Sequence, residues 1–190
     1  MAADPLKGRE ILLGVTGSIA ATKAAEIASS LRKRGAGVTV LMTREAKAFV
    51  GEITFAALSG RRVLSDLLDA SAPDPEHVSV TDRADALLIA PATANTLAKL
   101  ACGLADDPVS AAALALPSKT LLLLAPAMNT RMWEHPATRE NLDRLEKRGA
   151  RVVPPVEGRL ACGTVGVGKM AAPEDILTAL AEALGRSKAR

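Results

Sequence analysis

The chain has 190 residues, 48% of them hydrophobic, 24% charged and only 2% aromatic, with one Trp and no Tyr. That suffices for one soluble domain with a sizeable core, and leaves almost nothing on which single-stranded nucleic acid could stack. The formal charge of +3 comes from scattered helix-face residues such as Arg32, Lys33 and Arg34 and from a tail carrying Arg186, Lys188 and Arg190, a solvated surface rather than a nucleic-acid site. Two cysteines, Cys102 and Cys162, with no C-x-x-C, argue against a disulfide framework and against a zinc site. The opening MAADPLKGRE is not a signal pattern, and no apolar run approaches the ~18 residues of a membrane span. A cytoplasmic protein, without membrane or nucleic-acid partners, is expected.

Short apolar runs punctuate the chain at Ile11–Val15, Val38–Met42, Ala86–Ala90, Thr120–Ala125 and Val152 with Val153. Continuous apolar strands of this length, separated by helical patterns, predict a mainly parallel sheet covered on both faces: a doubly wound α/β domain, Rossmann- or flavodoxin-like, in three layers. After the first strand, Ala20, Ala24, Ile27, Ala28 and Leu31 recur at helical spacing, and Gly35 follows as a C-terminal cap. Further helices are predicted over Thr93–Cys102, Asp107–Ala115, Pro136–Arg148 and Pro173–Leu184. The last opens on Pro173 with Glu174 and Asp175 beside it, as a helix start prefers. Asp69–Glu76, reading DASAPDPE, is expected to be a surface loop. One domain over residues 1–185 followed by a basic tail, 186–190, is the predicted organisation.

Strand ends are where a doubly wound fold places its chemistry. The first ends in GVTGSIA, Gly14–Ala20, where backbone N–H groups and a helix dipole at Gly17, Ser18 and Ile19 would attract a cofactor phosphate. The pattern is not G-x-G-x-x-G, and the second strand ends in Met42-Thr43-Arg44 rather than in an acidic residue that would hold an NAD ribose, although Glu45 lies close. The third strand ends in PATANT: Thr93, Ala94, Asn95 and Thr96 are small or hydrogen-bonding groups that would let a flat ring approach, while Thr93 could equally be a helix N-cap. The fourth ends in APAMNTRMW, where the Asn129 amide could hold a carboxylate; Met128, Met132 and Trp133 suit packing. His77 could move a proton near neutral pH or be structural; His135, before Pro136, reads as structural near a helix start.

Residues Gly158–Met170, GRLACGTVGVGKM, set four glycines around Cys162. Glycine at that density suits neither a helix nor a packed strand, so the stretch reads as a mobile flap carrying a thiol. Cys102, in a helical context, reads as a buried and inert thiol.

Taken together, GSIAA (Gly17–Ala21), the His77 region, PATANT, PAMNTRMW and GRLACGTVGVGKM resemble, in order and approximate spacing, the homo-oligomeric flavin-containing cysteine decarboxylases. The resemblance runs from Gly14 to about Leu180. It implies FMN as cofactor, with phosphate at Gly17, Ser18 and Ile19, Thr43 nearby, and the ring against Thr93, Ala94, Asn95, Thr96 and Ala127. The family's motif usually reads PASANT, so Thr93 replaces a serine and keeps its hydroxyl. His77 is implied as the acid/base and Asn129 as the grip on the substrate carboxylate. Met132, Ala161 and Lys169 are implied as further substrate contacts, Lys169 toward a phosphate. Cys162 is implied as the final proton donor.

The branch this pattern resembles converts 4′-phosphopantothenoylcysteine to 4′-phosphopantetheine in coenzyme A synthesis. A thioaldehyde forms, carbon dioxide leaves to give an enethiol, and the enethiol is reduced. Homotrimers or larger assemblies of trimers, with sites at subunit boundaries, are implied, as is a fused ligase domain in some members. A peptidyl-cysteine decarboxylase that stops at the enethiol is an alternative against which Cys162 speaks; a non-catalytic regulatory flavoprotein is another, disfavoured by His77 and Cys162 together. An NAD-dependent oxidoreductase is the reading outside the family.

Overall fold

A computed structural model describes residues 4–67 and 76–187, without the side chains of residues 76–78, 186 and 187. Five strands form one parallel sheet: β1 (Glu10–Val15), β2 (Gly37–Met42), β3 (Ala86–Ala92), β4 (Leu121–Pro126) and β5 (Arg151–Val152), in the order β2-β1-β3-β4-β5. All five predicted strands are present within one or two residues. Side chains alternate across a strand, so β1 to β4 carry apolar side chains on both sides and feed two cores, while the short β5 adds Val152 to one of them. Ile11, Leu13, Val15, Val38, Val40, Leu88 and Leu123 face one way and pack under α1 (Ala21–Lys33) and α8 (Pro173–Ser187). Leu12, Leu41, Leu87, Ile89 and Leu124 face the other way, under α4 (Ala94–Cys102), α5 (Pro108–Leu114) and α7 (Pro136–Lys147). This is the doubly wound α/β fold.

The helix ends follow local chemistry. Gly35 ends α1 with φ 80°, its N–H donating to Arg32 O while the N–H of Ala36 reaches Leu31 O, the left-handed cap expected of glycine there. Asp107 caps α5 through the N–H groups of Val109 and Ser110, with the Ser110 hydroxyl answering to the Asp107 N–H. Elements with weaker periodicity were not foreseen: a 3₁₀ turn at Arg44–Ala48, α2 (Glu52–Ser59), α3 (Glu76–Asp82), α6 (Thr130–Glu134) and a hairpin, β6 (Val156–Arg159) with β7 (Val165–Lys169). The loop expected at Asp69–Glu76 lies outside the described residues except for Glu76, which opens α3. Helix α8 runs on to Ser187, taking in the first two residues of the expected tail.

With this strand order the chain leaves β1 and β3 in opposite directions, so a crevice opens between their carboxyl ends, the position where doubly wound sheets bind ligands. Leu88, in the middle of β3 and 0% exposed, is central to the frame. Leu88→Ala should cost about 2–5 kcal/mol of unfolding free energy, read as a lower midpoint in urea with an unchanged slope.

Candidate active site

The turn leaving β1 is tied to the turn leaving β3 by one buried hydroxyl. Thr16, 1% exposed, donates from Oγ1 to Pro91 O at 2.7 Å and accepts the N–H of Thr93 at 3.3 Å. Just beyond it, the backbone N–H groups of Gly17, Ser18 and Ile19 make no hydrogen bond among the described residues, and α1 starts with no side-chain cap and no acid in its first turn. Unpaired donors at a helix start form an anion cradle. Only glycine fits at position 17, because a Cβ there would lie 2.5 Å from Glu45 Cβ. Thr43, 4% exposed, accepts the N–H of Ala46 and holds the 3₁₀ turn against the cradle. Across the crevice Thr93 caps α4, accepting the N–H of Thr96 at 3.3 Å, with the two hydroxyls 3.0 Å apart. Thr93 thus starts the helix and also lines the crevice.

These groups enclose a cavity of about 340 Å³ lined by Gly17, Ser18, Thr43, Thr93, Ala94, Asn95, Thr96 and Ala127. Two carboxylates, Glu45 and Asp107, also reach it. Asp107 is committed to the α5 cap and to Lys99 Nζ at 2.8 Å. The Glu45 carboxyl is held below its ordinary range by its own backbone N–H and, to a smaller degree, by Thr43 and Arg44. A singly esterified phosphate in the cradle and a flat ring over Thr93–Thr96 fit this lining. Among the described residues no group of His, Cys, Asp and Glu could hold a metal ion.

A second cavity, about 450 Å³, adjoins the first along Ser18, Ala127 and Met128. Asn129, Ala161, Cys162 and Lys169 line it together with Ile19, Lys23 and Arg159. Asn129 caps α6, its Oδ1 accepting the N–H of Met132 at 2.8 Å. The cap spends the oxygen, so the NH₂ is the end of this cavity-lining side chain left to donate, the polarity a carboxylate requires. Met132 differs from expectation twice. It is 43% exposed rather than packed, and it lines the smaller cavity, because the short α6 presents it outward while Trp133, 6% exposed, fills the core under Arg139.

The glycine-rich stretch is a β-hairpin, not irregular chain, and its glycines have a steric reason. A Cβ on Gly168, where φ is 155°, would lie 2.2 Å from Met128 O, and one on Gly166 would lie 2.5 Å from Thr130 Oγ1. The N–H of Met128 in turn donates to Gly168 O at 3.0 Å. Bare backbone lets β7 press against the end of β4 and the start of α6. Cys162 sits in the hairpin turn, exposed, with Sγ 3.1 Å from Thr164 Oγ1. The Thr164 hydroxyl, and after it the Thr164 backbone, draws the thiol pKa below its ordinary value.

Cys102 corrects its expectation: it is exposed, because it is the last residue of α4, past the face that Leu97, Leu100 and Ala101 bury. His135 is structural as expected, its Nδ1 accepting the N–H of Ala137 at the start of α7. His77 is the second residue of α3; its side chain lies outside the described residues. Sequence reasoning missed Lys23 and Arg159 as cavity cations. Lys23 was legible only as a polar position on α1, and becomes a site residue once the hairpin is laid over that helix's first turn.

The strand order, the unpaired N–H donors after β1 and the crevice beside Thr93–Thr96 are those of a doubly wound protein with its site at the carboxyl ends of the strands. Residues 2–185 match the Flavoprotein family, and the chain belongs to it. A probable phosphopantothenoylcysteine decarboxylase of Streptococcus mutans is 44% identical over 177 residues, covering 93% of this chain and 99% of that protein. A coenzyme A biosynthesis bifunctional protein of Escherichia coli is 43% identical over 173 residues, 90% of this chain, which spans only 42% of that relative. Among solved structures, a PPC decarboxylase mutant complexed with pantothenoylaminoethenethiol superposes with a TM-score of 0.83 at 32% identity, over 92% of this chain and 97% of the other. The FMN-dependent cysteine decarboxylase SpaF gives 0.82 at 32%, over 96% and 99%.

The steric account of the hairpin is testable. Gly168→Ala should undock β7, seen as faster amide exchange at Met128 and a stability loss of about 1–3 kcal/mol. Gly163→Ala, with open space around it but φ 87°, should cost about 1 kcal/mol and leave the Met128 amide protected.

Proposed function

We propose that this chain is an FMN-dependent decarboxylase that converts 4′-phosphopantothenoylcysteine to 4′-phosphopantetheine in coenzyme A synthesis. The observation that carries the reading is the adjacency of the two cavities: a mononucleotide cradle shares the Ala127–Met128 backbone with a chamber holding an amide donor and a thiol. The relatives' names support the substrate, and the family and SpaF support FMN. The pantothenoylaminoethenethiol in the related mutant is a decarboxylated enethiol by its chemistry, which supports a route through that species.

When bound, FMN supplies a two-electron oxidation at the cysteinyl end and returns the same two electrons, so only carbon dioxide is lost overall. The residues around it bind and move protons. Gly17, Ser18 and Ile19 offer backbone donors to its phosphate, and Thr93–Thr96 with Ala127 form the surface for its ring. Asn129 presents NH₂ donors to the substrate carboxylate and so fixes which carbon faces the ring. His77 serves as the acid/base around oxidation and carbon dioxide release. The β6–β7 hairpin covers the chamber, and Cys162 gives a proton to the enethiol carbon. Lys169 and Ala161 complete the wall along the pantothenoyl arm.

The same reading includes a homo-oligomer, a trimer or an assembly of trimers, in which His77 faces a neighbour's site. Large apolar side chains left at the surface, Ile53 at 82% and Phe49 at 43% exposed, support burial against another copy. A cytoplasmic setting is proposed with it, supported by two free exposed thiols. Among the described residues no helix is long and apolar enough to cross a membrane.

Product mass spectrometry with 4′-phosphopantothenoylcysteine tests the reading. The parent protein should give the saturated thiol; arrest at the enethiol would move it to the peptidyl-cysteine type of chemistry, and no product at all would sink the proposal. Cys162→Ser should release carbon dioxide and accumulate enethiol. Asn129→Ala should lower turnover by on the order of 100-fold, as expected when a group that orients the reacting carbon is lost, and a parent-like rate would remove it from substrate binding.

A further inference from the structure

The turn that carries Cys162 is closed at both ends by backbone hydrogen bonds: the N–H of Leu160 donates to Thr164 O at 2.8 Å, and the N–H of Gly163 donates to Leu160 O at 2.9 Å. Gly163, with φ 87°, takes the left-handed conformation that reverses the chain. This closure brings the side chains of Cys162 and Thr164 to the same side, with Sγ and Oγ1 3.1 Å apart. A thiol can donate to that oxygen or accept from it, whereas a thiolate can only accept. Because O–H is a far better donor than S–H, the contact is worth more once the sulfur is an anion.

We propose that Thr164 is a positioning residue that holds the Cys162 side chain in the turn and stabilises the sulfur anion left when its proton is transferred. The inference rests on Cys162 being the proton donor to the enethiol. In that step the S–H bond breaks and a C–H bond forms at the enethiol carbon. The hydride needed at the other carbon is the equivalent withdrawn at the start of the turnover, so no further reductant enters.

The surroundings leave Thr164 as the main local influence. Arg131, from α6, acts on the sulfur from a distance and adds a smaller effect of the same sign. Lys23 from α1, Arg159 from β6 and Lys169 from β7 line the same chamber, and among the described residues no carboxylate does. The lowered thiol pKa, with the Thr164 hydroxyl as its largest cause, has the sign this geometry requires. A donor whose anion is stabilised releases its proton more readily. The remaining thiol, Cys102, lies on α4, outside both cavities.

The test measures iodoacetamide alkylation of FMN-loaded protein against pH by mass spectrometry, in a Cys102→Ser background where Cys162 is the one thiol. Thr164→Val should move the alkylation midpoint to higher pH and slow alkylation about three- to tenfold at neutral pH, the size expected for losing a hydrogen bond to an exposed anion. Thr164→Ser should restore the parent profile, which a general disturbance of the hairpin would not allow. An unmoved midpoint in Thr164→Val, or an equal shift in Thr164→Ser, overturns the inference. The donor reading fails separately: if Cys162→Ser still makes saturated thiol at the parent rate, Cys162 is not the donor, whatever the alkylation profiles of the Thr164 variants.

Discussion

Everything in the site hangs on the bridge that Thr16 makes across the sheet. Its hydroxyl donates to Pro91 O and accepts from the Thr93 N–H while almost wholly buried, so the separation between the turns after β1 and β3 is fixed by two hydrogen bonds in a low-dielectric interior, where such bonds are costly to break. The strand order makes these two turns neighbours, and the bridge makes them one unit. The phosphate cradle, the flat surface over α4 and the shared wall at Ala127 are all measured from that unit.

The β6–β7 hairpin is the second layer. It adds Val167 to the edge of one core and is otherwise attached through backbone, with Met128 and Gly168 hydrogen-bonded and two glycines clearing space for the chain at Met128–Thr130. An attachment of this kind places the Cys162 turn over the chamber, with Arg159, Leu160 and Lys169 of the same segment along its wall.

The sheet was legible because its strands are continuous apolar runs, such as Leu121–Pro126, bounded by clear helix caps. The cradle at Gly17–Ile19 and the crevice at Thr93–Thr96 followed from where those strands end. The hairpin was not legible as strands: its residues alternate glycine with Val165, Val167 and Lys169, a pattern that lacks the packed side chains by which strands are recognised. Met132 and Cys102 were misjudged for a related reason. Cys102 is the last residue of α4 and Met132 the middle of the single-turn α6, positions where a shift of one residue decides between core and solvent and hydropathy alone does not resolve it. Lys23 and Arg159 needed tertiary placement, since neither carries a local motif.

The cap at Asn129 has a wider consequence. Its oxygen starts α6 and its side chain lines the chamber, while the next residue, Thr130, stands against Gly166 of the hairpin. The chamber wall that the proposed function gives to the substrate's acid group, the first turn of a helix and the seat of the covering strand therefore converge on two adjacent residues. A substitution at either residue therefore disturbs helix, strand and chamber wall together, whereas Lys23, Arg159 and Lys169 line the chamber from three separate elements and can each be replaced without touching that pair.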